Sequence, residues 1–215
     1  MNLALLEQLM AARAAKRPVV LATNLPDGAQ VLLSRGERAP ADEALRLDTA
    51  SVVDGVLYEP HNPPLRLFVV GAVHVAEPLS QIAAIGGFAV TLIDPRKSWA
   101  TPERFPGREL VLAWPDTAIE SLKPDTRTAI VTLTHDPKLD DPGLVAALAS
   151  EAFYIGCLGS KKTHASRLER LAAAGCDRLE RLHGPVGLPI HARSPAEIAV
   201  SIFAEIVATL RGGRP

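Results

Sequence analysis

The stretch LRLFVVGAVHVAEPL, residues 65–79, begins as an apolar run rich in β-branched residues and breaks at Gly71 into a helix-like pattern. A buried strand, a glycine turn and a helix start are how a dinucleotide-binding βαβ unit opens. The second glycine of a G-x-G turn is absent, and Val73 stands in its place. Gly71 suits a tight turn that leaves helix-start N–H groups facing an anion. A β-branched side chain at 73 holds a phosphate further from the backbone than glycine would.

Working outward, the same alternation continues to the C-terminus. LRLFVV, FAVTLID, ELVLAW, TAIVTLT and FYIGCL read as strands. Between and after them, AVHVAEPLSQIAAIG, a short segment before TAIVTLT, PGLVAALASE, SKKTHASRLERLAAAG and SPAEIAVSIFAEIVATL read as helices. The strands are nearly continuous apolar runs, which indicates burial on both faces. The fold class is therefore α/β: a Rossmann-like parallel sheet with helices on both faces. The last helix carries a start signal in Ser194, Pro195 and Glu197. The core face of the helix after FYIGCL reads as Ala165, Leu168, Leu171 and Ala172.

Upstream, residues 1–60 read as a small N-terminal α+β segment. It opens with an amphipathic helix carrying Leu3, Leu6, Leu9 and Met10 on one face. A hairpin turning at Asp27-Gly28 follows, then the short segment ADEALRLD and VVDGVLYEP. Such a segment is expected to be too small for a good core. Pro60-His61-Asn62-Pro63-Pro64 marks the boundary, since three prolines in five residues do not continue a central strand or a helix. The second domain is accordingly 61–215.

Composition narrows the function classes. With 23 basic against 24 acidic residues, no general attraction to nucleic acid or anionic membrane is expected. Charges or prolines interrupt every apolar stretch, so no membrane span is expected, and the N-terminus does not read as a signal peptide. Cys157 and Cys176 form neither a disulfide framework nor a zinc pattern and read as small apolar residues. The expected location is cytoplasmic.

Ligands of open parallel sheets bind beyond the carboxyl ends of the strands, so the residues that follow each strand are the candidates. Gly71 and His74 follow the first. Asp94 ends the second, 23 positions after Gly71, where an acid contacts a ribose hydroxyl in such folds. Arg96 and Lys97, just beyond it, are placed to meet a phosphate. His135 and Asp136 follow the fourth strand and are candidates for acid–base or ligand contacts. Gly159, Ser160, Lys161, Lys162 and His164 follow the fifth. Lysines in a first helical turn oppose the helix dipole, and a bound anion resolves that conflict. His183 and His191 read as structural. No His/Asp/Glu spacing makes a metal site, and no serine sits in a nucleophile elbow.

These residues lie in longer segments that resemble a known family. PPLRLFVVGAVHVAEPL, VTLIDPR, ATPERFP, IVTLTHDPKLDDPGLVAAL, YIGCLGSKKTHASRLERL and GPVGLPIHARSPAEIAVSIFAEIVA together cover about residues 63–208. The chain resembles the XdhC/CoxI-type accessory proteins that serve molybdenum hydroxylases such as xanthine dehydrogenase and carbon monoxide dehydrogenase. The resemblance implies a helper rather than an enzyme. Such a helper binds molybdenum cofactor, as molybdopterin or its dinucleotide form, and assists its maturation or insertion into a hydroxylase apoenzyme. The family's first turn usually reads GAGHVA, against Gly71-Ala72-Val73-His74-Val75-Ala76 here. Nothing in residues 1–60 matches the family's GSVSGGC-x-E stretch, so the resemblance implies a partner chain supplying that cysteine motif, or a cofactor-sulfurating enzyme as partner. The N-terminal segment and apolar last helix also offer surfaces for a homodimer. Two other readings stay open: an NAD(P)-dependent oxidoreductase, favoured by Gly71 and Asp94, and a scaffold that binds no small molecule and acts through protein contacts.

Overall fold

The computed structural model describes residues 2–212. They fall into two compact units, one ending at Pro64 and the other beginning at Leu65.

The first unit contains α1 (Leu3–Ala14), β1 (Val19–Asn24), β2 (Gln30–Ser34), α2 (Ala39–Leu47), β3 (Ser51–Val53) and β4 (Val56–His61). Its strands form one antiparallel sheet in the order β2-β1-β4-β3. The expected hairpin turns at Asp27-Gly28, where the Asp27 carboxylate accepts the Ala29 N–H. A second hairpin, unread in the sequence, turns at Asp54-Gly55. Both residues have positive φ, as the two-residue turn that matches strand twist requires. Pro60 does not end β4. It pairs opposite Val20, and β3 reaches only to Tyr58, so the strand has one neighbour there and a missing N–H is tolerated.

Two further expectations are corrected in this unit. Helix α1 buries Leu5, Leu9 and Ala12, whereas Leu3, Leu6 and Met10 are exposed. Apolar residues lie all round LALLEQLMAARA, so its period alone does not choose a face. The unit also has a core of its own, built from Val20, Ala22, Leu33, Ala44, Leu45 and Tyr58.

The second unit contains β5 (Arg66–Val70), α3 (Ala76–Ile85), β6 (Ala89–Ile93), β7 (Glu109–Val111), α4 (Pro115–Leu122), β8 (Thr128–Thr132), α5 (Pro137–Leu148), β9 (Tyr154–Cys157), α6 (Lys161–Ala173), β10 (Leu182–His183) and α7 (Pro195–Leu210). All its strand pairs are parallel, in the order β7-β6-β5-β8-β9-β10. The chain enters mid-sheet at β5, runs outward to β7, then crosses to β8 and runs outward again. This is the Rossmann strand order, with its switch point between β5 and β8. Leu67 and Val69 of β5 face a core shared with Leu79 and Ala83 of α3 and Ile202 and Ile206 of α7. Phe68 and Val70 face Ile119 of α4, Leu144 of α5 and Leu171 of α6. Both faces are thus covered, as the unbroken apolar strands imply.

Helix α7 starts on the expected capping box, with Ser194 and Glu197 each bonding the other's backbone. Its Glu205 is 7% exposed and ties the helix to the sheet. The Glu205 carboxylate accepts the Tyr154 hydroxyl at 2.5 Å and the Gly187 N–H at 2.7 Å. His183 Nδ1 lies 3.4 Å from the other oxygen, and its ring stacks on Tyr154 at 4.5 Å.

Gly71 is fixed by geometry. Its φ is +100°, and a Cβ there would land on the Thr134 methyl group, just beyond the neighbouring strand β8. Gly71→Ala is therefore expected to lower unfolding free energy by roughly 2–4 kcal/mol, combining backbone strain with overpacking. Urea denaturation of the two proteins measures it.

Candidate functional site

Because the second unit's sheet is parallel, Gly71, Asp94, Thr134–Asp136 and Leu158–Ser160 all lie beyond its carboxyl edge. The structure divides them between two tasks.

The first group holds the turn after β5. The Gly71 N–H donates to the Ile93 carbonyl, and the Ala72 N–H donates to Asp94 Oδ2 at 2.9 Å. Asp94 is 1% exposed. Its Oδ1 also accepts the Arg96 backbone N–H and Nε, both at 2.9 Å, and its Oδ2 accepts Arg96 Nη2 at 2.7 Å. Four donors saturate the carboxylate. Burial works to raise its pKa, but the Arg96 fork and the two amides outweigh burial and hold it below the usual carboxylate range. Asp94, expected at a ribose, thus locks β6 to the first turn. Arg104 closes the turn from outside, donating through Nη1 to the carbonyls of Ala72 and Trp99 and through Nε to Glu77. Helix α3 begins only at Ala76, and Val73 packs half-buried against the core. His74 is largely exposed, 3.9 Å from Glu77.

The second group surrounds a cleft of about 260 Å³ between the starts of α5 and α6. Helix α5 starts at Pro137, earlier than the sequence pattern suggests, with Asp136 as N-cap accepting the Lys138 N–H. His135, at φ +62°, turns the chain from β8 into it and lines the cleft. Ser160 caps α6 through the Thr163 N–H. Of the two lysines that open this helix, Lys162 lines the cleft, and both are exposed. Thr163 and Ser166 add hydroxyl groups to the wall. Gly159 has φ +149°, and a Cβ there would crowd the Thr163 side chain.

The inner wall is formed by a residue that lies in the family-like segment YIGCLGSKKTHASRLERL but is not among the sequence-read site candidates. Arg167 is 2% exposed. Its Nη2 donates to the Leu158 carbonyl at 3.0 Å and lies 3.6 Å from Asp140 Oδ2. Its Nε and Nη1 are buried without a partner. Asp140 is 1% exposed and accepts the Thr134 hydroxyl at 2.6 Å. Burial lifts Asp140 above the usual carboxylate range, although Thr134 and Arg167 both act to lower it. Asp141, on the outer rim, is held by Arg170 at 2.6 Å.

The core face of α6 is accordingly corrected. Arg167 and Leu171 are buried and Leu168 half-buried, whereas Ala165 and Ala172 are exposed. The spacing 164, 167, 168, 171 marks one helical stripe, and an arginine inside it was the available signal. His164 lies on that stripe, its ring where a Cβ of Gly184 would fall. Burial, with the charge of Arg167 after it, keeps His164 below its usual value and so neutral at pH 7. Cys157 is fully buried, and burial pushes its thiol up to about 12, so it stays protonated.

The arrangement is a shallow cleft at the carboxyl edge, lined by Lys162 and by the Arg167–Asp140 and Arg170–Asp141 pairs, with two unpartnered guanidinium donors buried at its base. It suits an oxyanion. Its residues fall within the span 67–206, which matches the XdhC Rossmann domain. The chain belongs to the XdhC family. This XdhC-family chain is 35% identical over 148 residues to a protein of Bacillus subtilis (strain 168) described as a probable xanthine dehydrogenase subunit, a match covering 68% of this chain and 43% of that protein. It is 32% identical over 146 residues to "Molybdenum cofactor insertion chaperone PaoD" of Escherichia coli (strain K12), covering 67% and 40%. The chain thus spans less than half the length of these curated relatives. The crystal structure of a xanthine dehydrogenase from Bacillus halodurans shares the fold, with a TM-score of 0.72 at 24% identity, over 97% of this chain and 64% of that one. Among the described residues, no helix is long and apolar enough to cross a membrane.

Proposed function

We propose that this XdhC-family chain is an accessory protein that binds molybdenum cofactor as cargo and assists its maturation or insertion into a molybdenum hydroxylase. Two relatives support the class of function, one described as part of a xanthine dehydrogenase and the other as a cofactor insertion chaperone. One observation within the chain carries the binding step: Arg167 keeps Nε and Nη1 buried and unpartnered behind the cleft. An unpaired buried donor on a charged group costs more than a neutral one, and a ligand oxyanion supplies the missing acceptors.

The donor set fits a pterin that carries a phosphate. Lys162 supplies a mobile charge at the rim, Arg167 a fixed planar fork at the base, and Thr163 and Ser166 supply hydroxyl donors. His135 and Pro137 line the opening from the start of α5. When bound, the cofactor brings the molybdenum chemistry that the receiving enzyme uses. The chain's own residues hold and orient it. The hydroxylase apoenzyme is the implied recipient, and a cofactor-sulfurating enzyme or a chain with the family's cysteine motif is the implied second partner. The nicotinamide reading has less support, because Asp94 is saturated by Arg96 and the Ala72 amide.

The test is retention of cofactor. Protein purified from a cofactor-producing host is oxidised, and the released fluorescent pterin is quantified. The expected result is pterin approaching one equivalent per chain. Pterin at background in repeated preparations, alongside micromolar NAD binding with turnover, overturns the reading in favour of an oxidoreductase. Background pterin without nicotinamide binding leaves the scaffold.

A further inference from the structure

The half of the sheet edge that would receive a nucleoside is already filled by the chain itself. In this strand order a dinucleotide lies across the switch point, with one ribose on the acid that ends the second strand. Here that acid, Asp94, accepts four hydrogen bonds and shows no solvent-facing side-chain surface. The guanidinium that occupies it is stacked in turn, with Arg96 lying 4.5 Å above the Trp99 ring. Arg104 anchors the segment at the Trp99 carbonyl and at the Ala72 carbonyl of the first turn. Phe105 and Ala100 are buried beneath it. Arg96, Trp99 and Arg104 are therefore held against Asp94 and the first turn, on the β5–β6 side of the sheet edge. The cleft of about 260 Å³ lies instead on the β8–β9 side, away from Asp94.

We infer that the cleft takes molybdenum cofactor in its single-phosphate molybdopterin form and discriminates against the dinucleotide form, with Arg96, Trp99 and Arg104 as the residues that set this specificity. The inference rests on the cofactor-binding reading above. The sequence suggests the reverse, because an acid 23 residues after the first glycine is a ribose signal. What reverses it is the arginine two positions later, whose side chain folds back onto that acid. Specificity then comes from an occupied subsite, a repulsive element rather than an added contact.

The full chain is produced in a host that makes both cofactor forms. Released pterin and released nucleoside monophosphate (cytidylate plus guanylate, after pyrophosphate cleavage) are measured on the same sample. The expected ratio of nucleotide to pterin is below one-tenth. A ratio near one overturns this inference while the cofactor-binding reading stands. Pterin at background overturns both. In Arg96→Ala/Trp99→Ala the nucleotide share is expected to rise at least fivefold. Should that double variant fail to fold, Trp99→Ala alone, at a partly exposed ring, carries the same expectation. An unchanged share in the folded variant overturns the assignment to this loop.

Discussion

Arg167→Met is expected to lower unfolding free energy at pH 7 by about 3–5 kcal/mol, the range for breaking a buried ion pair from one side. Arg167 and Asp140 are both almost fully buried, and the remaining carboxylate would keep only Thr134 as a strong donor. Asp140 already stands above its ordinary value, because burial outweighs Thr134 and Arg167. A carboxylate raised in the folded state binds protons that the unfolded chain has released, so its contribution favours folding at low pH and is lost as pH rises through the folded value. Removing Arg167 lifts Asp140 further. The stability deficit is therefore largest at neutral pH and shrinks on acidification, which urea titrations at several pH values measure. Adding Asp140→Asn removes the uncompensated charge and is expected to restore most of the stability. It is not expected to restore cofactor retention, since the guanidinium fork is still missing. That split separates binding from folding at one residue.

The second large effect is expected at Glu205. Glu205→Ala leaves the buried Tyr154 hydroxyl and the Gly187 N–H without acceptors and removes the partner of His183. At about 1–3 kcal/mol for each unsatisfied buried group, a loss of roughly 3 kcal/mol follows. Glu205→Gln keeps an acceptor and is expected to lose about 1 kcal/mol. Burial alone would raise the Glu205 pKa, but the bonds from His183, Tyr154 and Gly187 bring it below the usual value. Its stabilisation is therefore complete above the unfolded glutamate value and disappears as pH falls through the lower folded one. Where acid unfolding falls above the folded Glu205 value, its midpoint should move upward in Glu205→Gln, because the wild-type carboxylate there still adds a stabilisation that the neutral amide lacks. This acid-side dependence is opposite in sign to that of Asp140, so the two contributions separate in one pH series.

Much of this architecture was legible in residues 65–210. Unbroken apolar strands between helix patterns imply a parallel sheet covered on both faces, and the two cores on its opposite sides follow from that. The capping residue Ser194 was legible too, because a cap is a local arrangement of a few neighbouring residues. The buried face of α1 was not legible, since apolar residues surround that helix. Helix α5 extends beyond the sequence pattern PGLVAALASE, since Pro142 lies inside the helix that Asp136 caps.

The site divides along the same line. Sequence by itself determined the strand order's raw material, the glycine that must sit at 71 and the cluster of polar residues following each strand, because these depend on local pattern and on one edge of a parallel sheet. Only the tertiary structure decided what those residues do. Asp94 and Arg96 are two positions apart and read separately as ribose and phosphate contacts, but folded they saturate one another. Asp140 and Arg167 are 27 positions apart, in two family-like segments, and neither is a sequence-read site candidate, but the packing of α5 against α6 buries them together and leaves two donors unpartnered behind the cleft. The physical reason is that hydrogen-bond capacity is consumed in three dimensions. Which carboxylate or guanidinium remains available to a ligand is known only after the fold has taken its share.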